Sequence, residues 1–271
     1  MSTINTNVNA LFAQNALKVN DRSLAKSMQQ LSTGSRVNSS GDDAAGLAIG
    51  TSMTAQIRGL NQAVRNANDG ISMLQTAEGA MVEQTNMLQR MRELAVQATT
   101  ATYNSTQLGY LDTEFQALDT QINNISTNTK WNGSTVLASA TTQSFVVGSA
   151  GSETISVNLA ATDTTTGLAT TSLAVSSAAS AAASVTAIDT ALASISSARA
   201  KIGAGINQLT YAADNLTNVS QNLTASRSQI LDTDYATATT QLARSQIIQQ
   251  AATAMLAQAN QQPQSVLALL K

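Results

Sequence analysis

The feature that most constrains this chain is the spacing of its apolar residues, which step alternately by three and four along three long stretches. Such spacing places one apolar stripe on a helix and is typical of helices that pack side by side. The longest stretch runs from Val185 to Leu223 with Arg199 in the stripe, and another runs from Leu60 to Leu88 with Glu78 in the stripe. The third contains Leu108, Leu111, Phe115, Leu118, Ile122 and Ile125. We predict three long helices in one antiparallel or mixed bundle.

Shorter apolar stripes occupy both ends of the chain. The N-terminal stripe contains Ile4, Val8, Leu11, Leu17, Leu24, Met28 and Leu31. The C-terminal stripe contains Leu231, Tyr235, Ala238, Leu242, Ala252, Leu256 and Ala259. Because isolated helices are marginal in water without packing partners, we expect helical termini that are loose in a monomer.

The composition limits how such a chain is stabilised. Aromatic residues make up 3% of the sequence and charged residues 11%, yet 43% is hydrophobic, so its apolar side chains are mostly small. Small side chains bury little area each, and buried apolar area contributes only roughly 25 cal/mol per Å². The composition therefore favours long helices packed along their length over a compact globule.

Missing residue types exclude several classes of function. The chain has no His and no Cys, which removes the usual general base, the thiolate nucleophile and thiolate zinc sites. We expect no catalytic, cofactor-binding or metal site. A net charge of -2 gives no footprint for nucleic acid. We also expect no cleavable signal peptide and no membrane span, since no continuous apolar run approaches ~18 residues.

Two regions lack the helical spacing. Residues 34–50 are rich in glycine and small polar residues and are predicted to form a connector, in which Asp42 and Asp43 cap the following helix. In residues 131–180, two apolar segments flank a turn-prone stretch at residues 148–152, which predicts a β-hairpin. Residues 162–184, rich in Ser and Thr, are predicted to be an exposed loop. The fold class is therefore mainly α, with long coiled-coil-like helices from both termini in an elongated bundle and a small hairpin region.

A charged patch lies on the first long helix, at residues 89–96. Arg90 and Leu94 are four residues apart, so both could pack on a neighbouring helix. Arginine is also enriched where proteins bind one another, so the patch could equally be a binding surface. The sequence leaves both interpretations open.

Several segments resemble hallmarks of bacterial flagellin, and they occur in that family's order over both terminal halves. They are residues 4–7, 31–38, 42–49, 68–72, 89–96 and 257–270. The resemblance implies a structural subunit, not an enzyme, that polymerises into a secreted, extracellular flagellar filament for motility. Because only about fifty residues separate the helical halves, it implies a minimal type without large outer domains.

The resemblance also implies a division of labour along the chain. Residues 1–41 and 231–271 would form the coiled-coil core of the filament, and residues 42–230 a helical outer tube with its hairpin and loop at about 131–180. The filament-core seam would include Leu17, Leu24, Leu31, Tyr235, Leu242 and Leu256. O-linked glycans, where present, would lie on Ser or Thr between Ser134 and Ser180.

The implied partners are other copies of the chain, a flagellar export chaperone, hook-junction and cap proteins, and the innate immune receptor for flagellin. Export would proceed unfolded through the flagellar type III secretion apparatus. The contact surface for the receptor or for a neighbouring subunit would include Gln89, Arg90, Leu94, Gln97 and Glu114.

Two other classes share features with this sequence. A hook–filament junction protein has similar terminal helices, but the flagellin-like tail and the short middle argue against it. A filament enzyme with a metalloprotease insertion needs the two histidines of an H-E-x-x-H site, and this chain has none.

Overall fold

The structure, a computed structural model, describes residues 6–268, with side chains described for residues 6–261. Ile4 of the predicted N-terminal stripe and the end of the tail motif lie outside the described residues. The described part is 73% helical, which confirms the predicted mainly α class. In chain order the elements are α1 (Val8–Thr33), α2 (Ala44–Ala98), α3 (Ser105–Asn128), β1 (Lys130–Trp131), β2 (Ser134–Thr135), β3 (Thr141–Val146), β4 (Thr154–Leu159), α4 (Ala178–Leu231) and α5 (Tyr235–Ala268).

The chain forms two compact units. Unit 1 contains residues 1–55 and 222–271, and unit 2 contains residues 56–221. These boundaries fall inside α2 and α4, whereas the division expected from the sequence, at 41/42 and 230/231, falls at the ends of those helices. The difference arises because each of the two helices is continuous and contributes residues to both units.

Unit 2 is built on the antiparallel pairing of α2 with α4. Arg92 Nε lies 2.6 Å from the Asp189 carboxylate, and Ser220 Oγ lies 3.0 Å from Asn61 Oδ1. The C-terminal part of α2 thus contacts the N-terminal part of α4, and an earlier part of α2 contacts a later part of α4. α3 also runs antiparallel to α2, since the Gln84 side chain donates to the Ile122 carbonyl at 3.3 Å and Arg90, further along α2, pairs with Glu114, earlier on α3, at 2.9 Å.

The predicted stripes form the core of this bundle. The buried residues of the three helices include Ala67, Leu74, Met81, Leu88, Phe115, Ile122, Ile188, Ile195, Ile202 and Leu209. The two charged residues predicted in stripe positions meet each other, with Arg199 Nη2 3.5 Å from Glu78 Oε1. Pairing allows both charges to lie at the edge of an apolar seam.

The predicted hairpin is confirmed as antiparallel β3–β4, with Phe145 opposite Ile155 and Gln143 opposite Val157. A second, shorter hairpin, β1–β2, was missed from the sequence. Its turn is Asn132–Gly133, and both residues have positive φ, 47° and 84°. Asn-Gly is the preferred dipeptide for such a two-residue turn, so the signal was present in the sequence.

The prediction of an exposed loop at residues 162–184 is wrong. Thr162, Thr164 and Thr170 are buried, and α4 already begins at Ala178. We call residues 160–177 the strap, because this segment lies along α3.

Polar side chains of α3 hold the strap. The Asp112 carboxylate accepts from the Val175 amide at 2.8 Å, and Asp119 accepts from the Thr170 hydroxyl at 2.7 Å. Between them, Gln116 donates to the Leu173 carbonyl at 2.6 Å. Burial raises the pKa of Asp119 above its usual range, an effect opposed by the Thr170 hydrogen bond. The Thr170 hydroxyl is thus bonded, and the backbone groups of Thr162 and Thr164 are bonded as well, whereas the buried Thr162 hydroxyl has no hydrogen-bond partner among the described residues. Composition alone does not reveal these partners.

The connector between α1 and α2 is shorter than predicted, residues 34–43. Gly34 ends α1 in the left-handed conformation, at φ 71°. Asp43 caps α2 as predicted, accepting from the Gly46 amide at 2.8 Å. Asp42 does not cap the helix: it pairs with Lys26 at 2.9 Å and accepts from the Ser39 amide. The Lys26 hydrogen bond and that of the Asn38 amide are the main causes that lower the pKa of Asp42 to about 2.

The second connector, residues 232–234, is tied to the first. The Arg36 amide donates to the Leu231 carbonyl at 2.6 Å, and the Thr233 amide donates to the Gly34 carbonyl at 2.9 Å. Asp234 then caps α5, accepting from the Ala236 amide at 2.9 Å. α5 continues through Pro263.

Many Ser and Thr hydroxyls on the helices donate to the carbonyl one turn earlier on the same helix. Examples are Thr85 to Met81 at 2.7 Å, Thr120 to Gln116 at 2.9 Å, and Thr210 to Ile206 at 2.9 Å. This bond lets hydroxyl residues occupy long helices, where they otherwise compete with the backbone.

By length and hydropathy alone, α4 qualifies as a membrane-spanning helix, with an 18-residue window of mean hydropathy 1.3. The sequence expectation considered only continuous apolar runs and missed this alanine-rich window. The core helix of a soluble protein meets the same two criteria, and Ile188, Ile195 and Ile202 of α4 are buried in the core of unit 2.

Gly205 and Gly203 on α4 provide a matched test of hairpin packing. A Cβ on Gly205 would lie 2.6 Å from Val157 Cγ2, whereas one on Gly203 would meet nothing within 4 Å. We expect Gly203→Ala to stabilise the protein by about 0.5–1 kcal/mol through helix propensity. Gly205→Ala should instead destabilise it by roughly 1–3 kcal/mol through overpacking. Urea denaturation followed by circular dichroism measures both, and equal effects would contradict the packing described.

The Lys26–Asp42 pair predicts a pH dependence. The pKa of Asp42 is about 2 when folded, against an ordinary value of 3.8. Its contribution to stability is therefore present above pH 3.8 and is lost as the pH falls through 2. Hydrogen exchange of residues 36–44 should show less protection in Asp42→Asn than in wild type at neutral pH, and this difference should shrink as the pH falls through 2.

Lys26→Gln is the reciprocal variant and should show the same pH profile as Asp42→Asn. The double variant should lose no more protection than either single variant, because the two residues act as a pair. Additive losses would mean that Asp42 acts through the Ser39 and Asn38 amides alone.

Candidate interaction surface

α1 and α5 pair along their length in unit 1, with antiparallel register. The Asn7 side chain donates to the Ala259 carbonyl at 2.8 Å, and the Asn20 side chain donates to the Ser245 carbonyl at 2.8 Å. Asn7 also caps α1 by accepting from the Ala10 amide at 3.1 Å. The register is thus fixed by hydrogen bonds from asparagine side chains.

The seam between these two helices buries small and polar residues. The buried positions are Asn20 and Ser27 on α1, and Ala238 and Ser245 on α5. These residues contribute little apolar area, so the pair gains little from the hydrophobic effect within one subunit.

Several large apolar residues of α1 and α5 are instead exposed. Phe12 is 71% exposed, and Ile247 is 66% exposed. Met28 is also exposed, but it lies sixteen residues after Phe12 and so about 160° around α1 from it. The other exposed large apolar residues of the pair are Val8, Leu11, Val19, Tyr235, Ile248 and Met255. We call this set, without Met28, the apolar face. Exposed apolar patches mark interaction sites in soluble proteins, and Phe12, Ile248 and Met255 of the apolar face line one groove, so this face indicates an interaction site.

A groove of about 670 Å³ runs along the apolar face. Phe12, Ile248 and Met255 are its large side chains, and five alanines, Ala13, Ala16, Ala251, Ala252 and Ala259, line it with them. Asn9 and Gln258 are its polar lining residues. Small residues beside large ones leave space into which side chains of another helix can insert.

The residues predicted for the filament-core seam differ in their burial within the subunit. Leu17, Leu24, Leu31, Leu242 and Leu256 are half-buried. Tyr235 is exposed, and its hydroxyl lies 3.5 Å from the Leu31 carbonyl. The α1–α5 seam is filled by smaller residues, which leaves Tyr235 at its edge.

The structure brings together most of the predicted patch around Arg90. Its guanidinium contacts Glu114 Oε1 at 2.9 Å and Glu93 Oε2 at 3.0 Å. Hydrogen bonds to Glu93 and then Glu114 raise the pKa of Arg90. Gln89 is exposed, and Gln97 donates to the Tyr103 hydroxyl at 2.9 Å. α2 and α3 therefore present a polar, ion-paired surface at this position.

Leu94 does not belong to that exposed surface. It is 1% exposed and lies in the core of unit 2. The expected apolar anchor is therefore absent from the surface of the subunit, because Leu94 continues the buried stripe of α2 through Leu88 and Met91. Spacing alone placed Leu94 and Arg90 close together on α2. It could not show that the buried stripe includes Leu94 and leaves Arg90 exposed.

The Ser and Thr residues between Ser134 and Ser180 are not uniformly accessible. Thr162, Thr164 and Thr170 are buried in the strap. The exposed hydroxyl residues include Ser134, Thr135, Thr141, Thr142, Ser149, Ser152, Thr154, Thr165 and Thr166. Over residues 6–261, the structure shows no cluster of three or more His, Cys, Asp or Glu that could hold a metal ion.

Comparison with known families assigns both halves of the chain. The family described as the bacterial flagellin N-terminal helical region matches residues 4–142. The bacterial flagellin C-terminal helical region matches residues 185–270. The unmatched residues between them include β4 and the strap.

Full-length relatives agree. The flagellin of Halalkalibacterium halodurans is 43% identical over 272 residues, covering 99% of each chain. The flagellin of Bacillus subtilis is 40% identical over 302 residues, again covering 99% of each chain.

Two solved structures are similar. The crystal structure of Bacillus cereus flagellin has a TM-score of 0.51 and 31% identity, covering 60% of this chain and 94% of that one. A putative flagellar hook-associated protein from Vibrio parahaemolyticus has a TM-score of 0.61 at 14% identity, covering 70% of this chain and 100% of that one, and shows the fold alone. With both family regions and full-length relatives above 30% identity, this chain belongs to the bacterial flagellin family, as a structural, non-enzymatic subunit of the extracellular flagellar filament.

Proposed function

We propose that the apolar face of α1 and α5 is the surface through which copies of this chain pack against one another in the filament. In this proposal residues 1–41 and 231–271 form the filament core, and residues 42–230 surround it. The observation that carries the proposal is the inverted distribution of side chains, with Asn20 and Ser245 buried in the α1–α5 seam and Phe12 and Ile247 exposed.

The occupant that fits the apolar face best is a second copy of the chain. The face carries few charges, so neighbouring copies do not repel one another there, and its groove has alternating large and small residues that suit a helix with the same composition. Full burial of a side chain such as Phe or Ile contributes roughly 1.5–3 kcal/mol. Several such residues per subunit are enough to offset the entropy of ordering a polymer.

We propose that the same face is covered before assembly. An exposed apolar surface on α5 in the cytoplasm favours aggregation, so a flagellar export chaperone that covers α5 would suit unfolded export by the type III apparatus. Hook-junction and cap proteins that meet the filament at its ends would contact α1 and α5, since the subunit at each end lacks a neighbour.

We further propose that the ion-paired surface of Gln89, Arg90, Gln97 and Glu114 is a contact for the innate immune flagellin receptor or for a neighbouring subunit. Arginine is frequent among residues that dominate binding energy. In this proposal Leu94 supports α2 from the core. O-linked glycans, where present, lie on the exposed hydroxyls of the hairpins and on Thr165 and Thr166 of the strap.

Phe12→Ser and Tyr211→Ser test the assembly surface as a matched pair. Phe12 on α1 is 71% exposed and Tyr211 on α4 is 75% exposed, so neither change should alter the fold of the subunit. We expect Phe12→Ser to raise the critical concentration for polymerisation by roughly tenfold or more, because the apolar contact is lost. Tyr211→Ser should have a much smaller effect. Sedimentation after salt-induced polymerisation measures both.

If Phe12→Ser polymerised at the wild-type concentration, the apolar face would not be the contact between copies. Removal of residues 232–271 provides a second test of the assembly surface, because α1 then loses its partner helix and the truncated chain should not polymerise. A truncated chain that still formed filaments would also contradict the proposal.

Arg90→Ala and Arg92→Ala test the receptor surface. Their side chains are 49% and 47% exposed, and each forms an ion pair with another helix, Arg90 with Glu114 on α3 and Arg92 with Asp189 on α4. We expect Arg90→Ala to weaken receptor binding by about 2 kcal/mol, and Arg92→Ala to have little effect. Binding of purified receptor ectodomain to monomer measures both. Equal affinities for wild type and both variants would mean that the patch serves packing alone.

A further inference from the structure

Met255 is the most accessible methionine among the described residues. It is 66% exposed on α5 and lines the groove of the apolar face. The methionines of unit 2 have the opposite environment, since Met73, Met81 and Met91 are buried in the core. The two environments expose the thioether sulfur of Met255 to dissolved oxidants while the core methionines are shielded.

We propose that Met255 is a modification site, whose oxidation to the sulfoxide by a peroxide-type oxidant blocks assembly of the subunit. The inference rests on the proposed role of the apolar face as the contact between copies. In the reaction, a lone pair of the Met255 sulfur attacks one oxygen of hydrogen peroxide and forms the S–O bond as the O–O bond breaks. The proton on the attacked oxygen passes to the departing hydroxide, which leaves as water. Sulfur is oxidised by two electrons and the peroxide is reduced by two.

The surroundings of Met255 explain why the product would be disfavoured in a polymer. Oxidation changes a flexible apolar side chain into a polar one with a strong hydrogen-bond acceptor. Most groove residues, including Phe12, Ile248, Ala251 and Ala252, have no side-chain donor, and only Asn9 and Gln258 of its lining carry an amide that could donate to the sulfoxide. An incoming copy that covered the groove would therefore bury a polar group among mostly apolar side chains, which is costly.

Met28 provides an internal control. It lies on α1 and is also exposed, at 56%, but it does not line the groove. Hydrogen peroxide should therefore oxidise Met28 and Met255 to similar extents, while only oxidation of Met255 places a sulfoxide in the groove. Both thioethers can be reduced again by methionine sulfoxide reductases.

The experiment compares full-length wild type, Met255→Leu and Met28→Leu, each with and without hydrogen peroxide treatment. Peptide mass mapping measures sulfoxide at each methionine, circular dichroism confirms that helicity is retained, and sedimentation gives the critical concentration for polymerisation. Each variant is compared with its own untreated sample, so any effect of the substitution itself cancels. We expect oxidation to raise the critical concentration of wild type and Met28→Leu by roughly tenfold.

The Met255→Leu variant should show no such rise, and treatment of oxidised wild type with sulfoxide reductase should restore polymerisation. The inference is overturned if peroxide leaves Met255 unmodified, if oxidised wild type polymerises as before, or if Met255→Leu is inhibited to the same degree. Failure of the assembly proposal has a different signature, since Phe12→Ser would then polymerise normally without any oxidant.

Discussion

The antiparallel pairing of α2 with α4 positions every other element of unit 2. Leu74, Met81, Ile195 and Ile202 provide the buried stripe of this pair, and α3 closes its open side with Phe115 and Ile122. The β3–β4 hairpin rests on the same two helices at glycines, with Phe145 against Gly70 and Val157 against Gly205. Small residues in the helices are therefore not merely neutral, since they set how closely the hairpin approaches.

Unit 1 follows a different rule. Its α1–α5 pair keeps its register through Asn7 and Asn20 and leaves several large apolar residues exposed. In the proposed assembly, unit 2 buries its apolar surface within the subunit, and the α1–α5 pair of unit 1 buries its exposed apolar residues against other copies.

The sequence was sufficient for the helices, because period 3.6 is a property of each segment on its own. It identified Glu78 and Arg199 as exceptions in two stripes but could not pair them, since pairing depends on the relative register of α2 and α4. The sequence prediction also failed for the strap, where Thr162 and Thr170 are buried. The composition of the strap is that of an exposed loop. The carboxylate and amide groups of α3 that hydrogen-bond to the strap lie some fifty residues away in the sequence. Leu94 was correctly placed on α2 but was expected at the surface, and it is buried. Which residues at the edge of a stripe are buried depends on the neighbouring helices.

The hydroxyls of the helices have a further consequence. A Thr or Ser that already donates to the carbonyl one turn earlier carries no free donor that must be desolvated when another surface covers it. Thr210 and Thr239 are examples on α4 and α5. Helices with such side chains stay wettable as monomers because their acceptor lone pairs remain hydrated, yet they can be enclosed at little cost in lost hydrogen bonds. Only 11% of the residues in this chain are charged. Its hydroxyl groups therefore take the place of charges: they keep the helix surfaces hydrated in the monomer and can still be covered when other copies pack against them.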